Sequence, residues 1–142
     1  MCFWRRNDSK IPGGRNVIVS STRMLSILSA TGLKSLYLLD SKYYCADVET
    51  LAGMVIDCMV YLPAYQPDRF DCDDFAILFK SRMSERHQIN SCGIVIGYAD
   101  GLHAWNVLVA ADSSVHYLEP QTGDMWSPAE SPRNYIGNLV LI

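Results

Sequence analysis

Several features are scarce in this sequence, and each shortage removes a class of protein. Its five cysteines, Cys2, Cys45, Cys58, Cys72 and Cys92, include no Cys-x-x-Cys pair. An odd count without such a pair fits neither a disulfide framework nor a zinc site. It reads instead as reduced, buried cysteine, which implies a reducing compartment, the cytoplasm. No long apolar run is present: Met54 to Leu62 is broken by Asp57 and is about half the ~20 residues needed to cross a bilayer. The basic pair Arg5-Arg6 is followed by the polar, turn-rich stretch Asn7 to Asn16, so no secretory signal is read. Excess positive charge is missing too, since the net charge is −3. Neither nucleic acid nor a membrane is an expected partner. Repeats, low-complexity stretches and internal linkers do not occur.

What remains is core-forming material. At 142 residues and 49% apolar composition, the chain reads as one compact domain over 1–142. Arg5, Arg6, Lys10 and Arg15 cluster beside Pro12, Gly13 and Gly14, and predict a flexible basic arm over residues 1–15.

The first elements are short. Asn16 to Ser20 predicts a strand, and Ser21 or Thr22 caps a helix that Thr31-Gly32 ends. Lys34 to Asp40 is strand or helix, because periodicity does not separate the two over so few residues. Asp47 caps a helix whose Val48, Leu51, Ala52, Val55, Cys58, Met59 and Leu62 recur at helical spacing. Met54, Ile56 and Val60 make it apolar nearly all round, so deep burial is expected, with Pro63 as its stop. Tyr61 to Phe70 is a loop. Asp71 caps a second long helix to about Arg86, with Phe75, Ala76, Leu78, Phe79 and Met83 inward and Lys80, Arg82, Glu85 and Arg86 towards water. Acid in its first turn and base in its last suit the helix dipole. The period then changes to two: Ser91–Tyr98, Ala104–Ala110, Ser114–Glu119 and Gly137–Ile142 predict strands, with turns at Ala99-Asp100-Gly101 and Asp112-Ser113. The pattern is that of an α+β domain with an antiparallel meander.

Chemistry concentrates in Asp71-Cys72-Asp73-Asp74, His103-Ala104-Trp105 and Leu118-Glu119-Pro120. A cysteine at a helix N-terminus feels the positive end of the dipole, which favours thiolate. Position thus selects Cys72 as nucleophile. His87 lies in a polar loop and is expected to be solvated, whereas His103 opens a strand after a turn and can serve as base. Glu119, closing the next strand, can orient His103. Gln66, on the loop before the helix, is the candidate oxyanion donor, and Trp105 the candidate cleft wall. Order alone is weak evidence, because five cysteines, three histidines and 15 acidic residues offer many chance triples.

DCDDFA, HAWNV and YLEPQTG resemble the core shared by papain-like and transglutaminase-like cysteine enzymes. The nearest likeness is to the papain-like C-terminal domain of certain mushroom chimeric lectins. The resemblance spans roughly Tyr65 to Asp124. It implies a central nucleophile-bearing helix and other N-terminal helices packed on an antiparallel sheet. It also implies a Cys72-His103-Glu119 triad, a peptidase or amide hydrolase activity with a peptide or protein substrate, and activation by calcium. Gln66 matches the papain-type oxyanion glutamine.

Asp71, Asp73 and Asp74 work against this reading, since acidic neighbours raise a thiol's pKa. No cofactor is required for the chemistry itself, but bound calcium would cancel those charges; plain helix capping also accounts for the three residues. Two alternatives stay open: transglutaminase-like acyl transfer through the same thioester, and a catalytically silent binding or inhibitory module.

Overall fold

The computed structural model describes residues 16–142; the expected basic arm over 1–15 lies outside the described residues. β1 (Val17–Ser20) pairs antiparallel with β3 (Lys42–Cys45) as a separate two-stranded sheet. Between them lie α1 (Ser21–Ser29) and the short β2 (Leu36–Tyr37). α2 (Val48–Cys58) and α3 (Cys72–His87) follow, then β4 (Cys92–Tyr98), β5 (Leu102–Val109), β6 (Val115–Leu118), β7 (Met125–Trp126) and β8 (Ile136–Leu141). The larger sheet has six strands in the order β2-β8-β4-β5-β6-β7.

The helix starts follow from side-chain caps. Ser20 Oγ accepts from Arg23 N at 3.3 Å, and Asp47 Oδ1 accepts from Thr50 N at 2.8 Å. Asp71 and Asp74 form a capping box, in which Asp74 Oδ2 accepts from Asp71 N at 3.3 Å; such caps satisfy N–H groups left over at a helix start.

α2 ends at Cys58, four residues before the expected Leu62, and the cause lies on α3. Arg82 donates through Nη1 to the Cys58 and Val60 carbonyls and through Nη2 to Tyr61 O; Arg86 Nη1 donates to Asp57 O at 2.7 Å. These guanidinium groups satisfy the orphan carbonyls of α2 and so do not simply face water as expected. Lys80 Nζ likewise reaches Cys92 O at 2.6 Å. α2 is also less enclosed than its composition suggested, with Ile56 72% exposed.

Alternation along β5 builds two core layers. Trp105, Val107 and Val109 pack with Met24, Leu28 and Tyr43 on the α1 side, while Leu108 packs with Leu51, Phe79 and Met83 under α2 and α3. Asn106, fully buried on that second face, donates from Nδ2 to Ala76 O of α3 and Gly93 O of β4, each at 3.0 Å. Between Ile96 and Gly97 the β4–β8 register shifts, and Gly97 sits where any side chain would strike the Ile136 carbonyl.

The expected fold class needs correction. In place of N-terminal helices on an antiparallel sheet, this is a sheet-rich domain with three helices among the described residues, and a strand pair at its N-terminal side. The large sheet is mixed, because β2 pairs parallel to β8 across about a hundred residues, through Leu36↔Val140 and Tyr37↔Leu141. Among the described residues no helix is long and apolar enough to cross a membrane.

Candidate functional site

His103 and Glu119 meet. His103 enters from the start of β5, Glu119 lies just past β6, and the antiparallel register of the two strands brings them together. Nε2 and Oε2 are 2.7 Å apart, with both side chains about one-seventh exposed. Tyr135 donates its hydroxyl to the same carboxylate oxygen at 3.3 Å, and burial, with the Glu119 charge next, pushes that phenol up to about 12. Tyr135 joins an aromatic wall with Trp105 and Trp126, at ring separations of 4.9 and 5.2 Å. Trp105, stacked on His103 at 6.1 Å, is fully buried. It supports the site from behind and does not wall the cleft as a substrate-binding residue.

Cys72 opens α3 as the sequence predicts. It shares a cleft of about 450 Å³ with Tyr65, Ile96, Leu102 and His103, but no hydrogen bond joins it to His103 among the described residues. Ala104, packed with Ala76 and Ile94 beside Cys72, faces α3, and His103, one residue earlier, reaches the rim of the same cleft. Burial is the main cause that raises the Cys72 thiol above its ordinary 9.0, and the Asp71 and Asp73 charges add to it; the N–H side of Ala104 and Asp73 works in the other direction. Burial and the neighbouring carboxylates thus oppose the thiolate that a helix N-terminus favours. Gln66 lies exposed on the loop, its backbone N–H and carbonyl both bonded to Phe70, and it does not line the cleft.

Of the three aspartates, Asp71 and Asp73 converge with the Cys72 sulfur, their ligand atoms all within 4.8 Å of one another. Asp74 is turned to its capping partner. The side-chain hydrogen bond between Asp71 and Asp73 lowers the first carboxyl and raises the second.

A second cleft, about 460 Å³, opens on the other side of His103. Its polar walls are Glu119, Gln121, Thr122, Asp124 and Arg133, with Trp126 and Tyr135 as apolar surfaces. The sequence reading missed Tyr135 and Arg133; an aromatic two residues after a lone arginine in the 131–135 segment was the only signal for them. It also missed that His87 is bonded, with Nε2 3.0 Å from Asp57 Oδ2.

This fold is shared with lectins. A solved PSL1a-E64 complex superposes with a TM-score of 0.75 at 24% identity, covering 88% of this chain and 51% of that one. The Polyporus squamosus lectin bound to the human-type influenza-binding epitope Neu5Aca2-6Galb1-4GlcNAc superposes with a TM-score of 0.72 at 24% identity, covering 88% and 49%. The chain thus spans about half the length of these lectin chains. The model of the ricin-type beta-trefoil lectin C-terminal domain family matches residues 16–139, and the chain belongs to that family. Among curated protein sequences, none matches it.

Family and fold overturn the identification as a papain-like or transglutaminase-like cysteine enzyme. With it go the hydrolase, protease and acyltransferase readings and the expected peptide or protein substrate. At the site itself, burial raises the Cys72 thiol above its ordinary value, no hydrogen bond joins Cys72 to His103, and Gln66 does not line their cleft.

Proposed function

We propose that this chain is a non-catalytic binding module that takes a saccharide in the cleft beside Glu119. The cleft's composition carries this reading. Glu119 and Asp124 accept hydrogen bonds from sugar hydroxyls, Gln121 and Thr122 both donate and accept, and Trp126 and Tyr135 offer flat faces to the C–H side of a pyranose ring. Arg133 lies 3.7 Å from Asp100 in an exposed pair, loose enough for an acidic sugar's carboxylate to replace Asp100. His103 and Glu119 then serve as ligand-contacting walls, and Cys72 as a wall of the adjoining cleft. The lectin that binds the sialylated trisaccharide supports the choice of ligand class.

Calorimetric titration with Neu5Aca2-6Galb1-4GlcNAc tests the reading. Saturable binding is expected, weakened about tenfold in Trp126→Ala and in Asp124→Asn, the equivalent of about 1.4 kcal/mol. No heat from the trisaccharide, galactose, N-acetylglucosamine or sialic acid would overturn it.

Calcium belongs to the same proposal in reduced form, with Asp71 and Asp73 as its ligands and Asp74 left to cap α3. Two carboxylates that otherwise compete for one proton gain from a divalent cation, and the thiol between them is too soft a donor to contribute. A calcium-dependent rise in melting temperature, reversed by chelator and absent in Asp73→Asn, is the expected result; equal melting in all cases removes the ion. The unpaired Cys45, Cys58, Cys72 and Cys92 support a reducing compartment, the cytoplasm.

A further inference from the structure

We propose that Asp57, Cys58 and His87 form a zinc(II) site that clasps the C-terminal ends of α2 and α3 together. The three come from two helices. Asp57 and Cys58 are the last two residues of α2, and His87 is the last of α3. Their ligand atoms all lie within 4.8 Å of one another, with His87 Nε2 3.0 Å from Asp57 Oδ2. Tetrahedral zinc with bonds of about 2.0–2.3 Å sets its ligand atoms roughly 3.3–3.8 Å apart. Imidazole and carboxylate separate by a few tenths of an ångström to admit the ion, and the sulfur, within 4.8 Å of both, closes by up to about 1 Å.

The donor set selects the metal. Thiolate, imidazole and carboxylate suit zinc, whereas calcium and magnesium favour oxygen throughout. Three protein ligands leave the fourth position to water, and Asp57, half exposed, opens that side to solvent. Cys58 supplies sulfur from the core, where it is fully buried.

Nearby positive charge does not block the site. Arg82 is engaged with the Cys58, Val60 and Tyr61 carbonyls, and Arg86 with Asp57 O at 2.7 Å. The ion takes the place of the direct 3.0 Å bond between His87 Nε2 and Asp57 Oδ2, and of the longer contact, 3.4 Å, from Arg86 Nη1 to the same oxygen. The same arginine bonds fix the backbone that carries both α2 ligands, so the site is held in place before metal arrives. On binding, the Cys58 thiol gives its proton to solvent and the sulfur lone pair forms the Zn–S bond. His87 binds through its Nε2 lone pair with the ring N–H on Nδ1, and the Cys58 proton is the one that leaves as the Zn–S bond forms. The site lies outside both clefts and stands independently of the saccharide reading.

Titrating the full chain with zinc chloride against a competing chelator tests the proposal, with cobalt(II) as a spectroscopic substitute. One equivalent is expected, together with a thiolate-to-cobalt charge-transfer band. His87→Gln and Asp57→Asn, whose side chains reach the surface, are expected to fold and to lose at least about tenfold in zinc affinity. Cys58→Ser is expected to abolish the band, and Cys72→Ala to leave it intact. The proposal is overturned if His87→Gln and Asp57→Asn bind zinc like the parent, or if Cys72→Ala removes the band. Should Cys58→Ser fail to fold, the two surface variants and Cys72→Ala decide the matter.

Discussion

Two histidine–carboxylate pairs of nearly the same length sit in different surroundings. His103 and Glu119 are 2.7 Å apart with both partners largely covered; His87 and Asp57 are 3.0 Å apart with the carboxylate half in water. Around the first pair stand Trp105 and Tyr135, the latter a second donor to the same oxygen. Around the second stand a guanidinium and a buried thiol. The pair itself therefore says little about use. Aromatic cover makes one a rigid wall for a ligand, and a neighbouring sulfur makes the other a set of metal donors.

The largest effect that breaks this contrast is expected from Trp105→Ala, which empties a fully buried indole site behind His103. Denaturant unfolding should show a loss of about 3–5 kcal/mol. Next is Glu119→Ala, which strands the largely buried imidazole and the Tyr135 hydroxyl. About 2 kcal/mol is expected to be lost, and a change below half that would mean that the pair is not anchored as described. In metal-free protein Asp57→Asn should cost no more than about 1 kcal/mol, since its carboxylate is solvated.

Tyr135 adds a pH dependence to the first pair. Its folded-state value, up from 10.0 to about 12, lies above the unfolded one. The stability it contributes is fully present below the unfolded value, and it is lost as pH rises through the folded one. Alkaline melting curves should therefore fall across that window, and Tyr135→Phe should flatten the fall. The smallest expected effect is at Cys72: alkylation near neutral pH should be slow, rising only at pH above 9.0, because burial keeps the thiol protonated. Fast, selective labelling at neutral pH would contradict that.

Legibility in the sequence followed the range of the interaction. α3 could be read from its own residues, because the Asp71 cap, the acidic first turn and the basic last turn are all local. The β4–β5 hairpin was equally legible from its alternation and its Asp100-Gly101 turn. The end of α2 was not, since it depends on Arg82 and Arg86 from another helix. Nor was the parallel β2–β8 pairing, which no period-two pattern announces. Within the site, Glu119 found His103 because adjacent strands fix each other's register. Cys72 shares a cleft with His103 but is not hydrogen-bonded to it, since chain order does not fix how side chains are oriented. Trp105 was misjudged for the same reason: alternation told which residues share a side, and left open which side was covered.

Asn106 pins α3 to the sheet at Ala76, one turn from the helix start, and makes the helix a reference bar. Sixteen residues at 1.5 Å each make it about 24 Å long, with the Cys72 cleft at one end and His87 at the other. A paramagnetic ion seated at His87 would then act as a fixed lamp. The broadening of a bound ligand's proton signals would measure how far along the bar that ligand rests, and would tell the Cys72 cleft from the Glu119 cleft without a crystal.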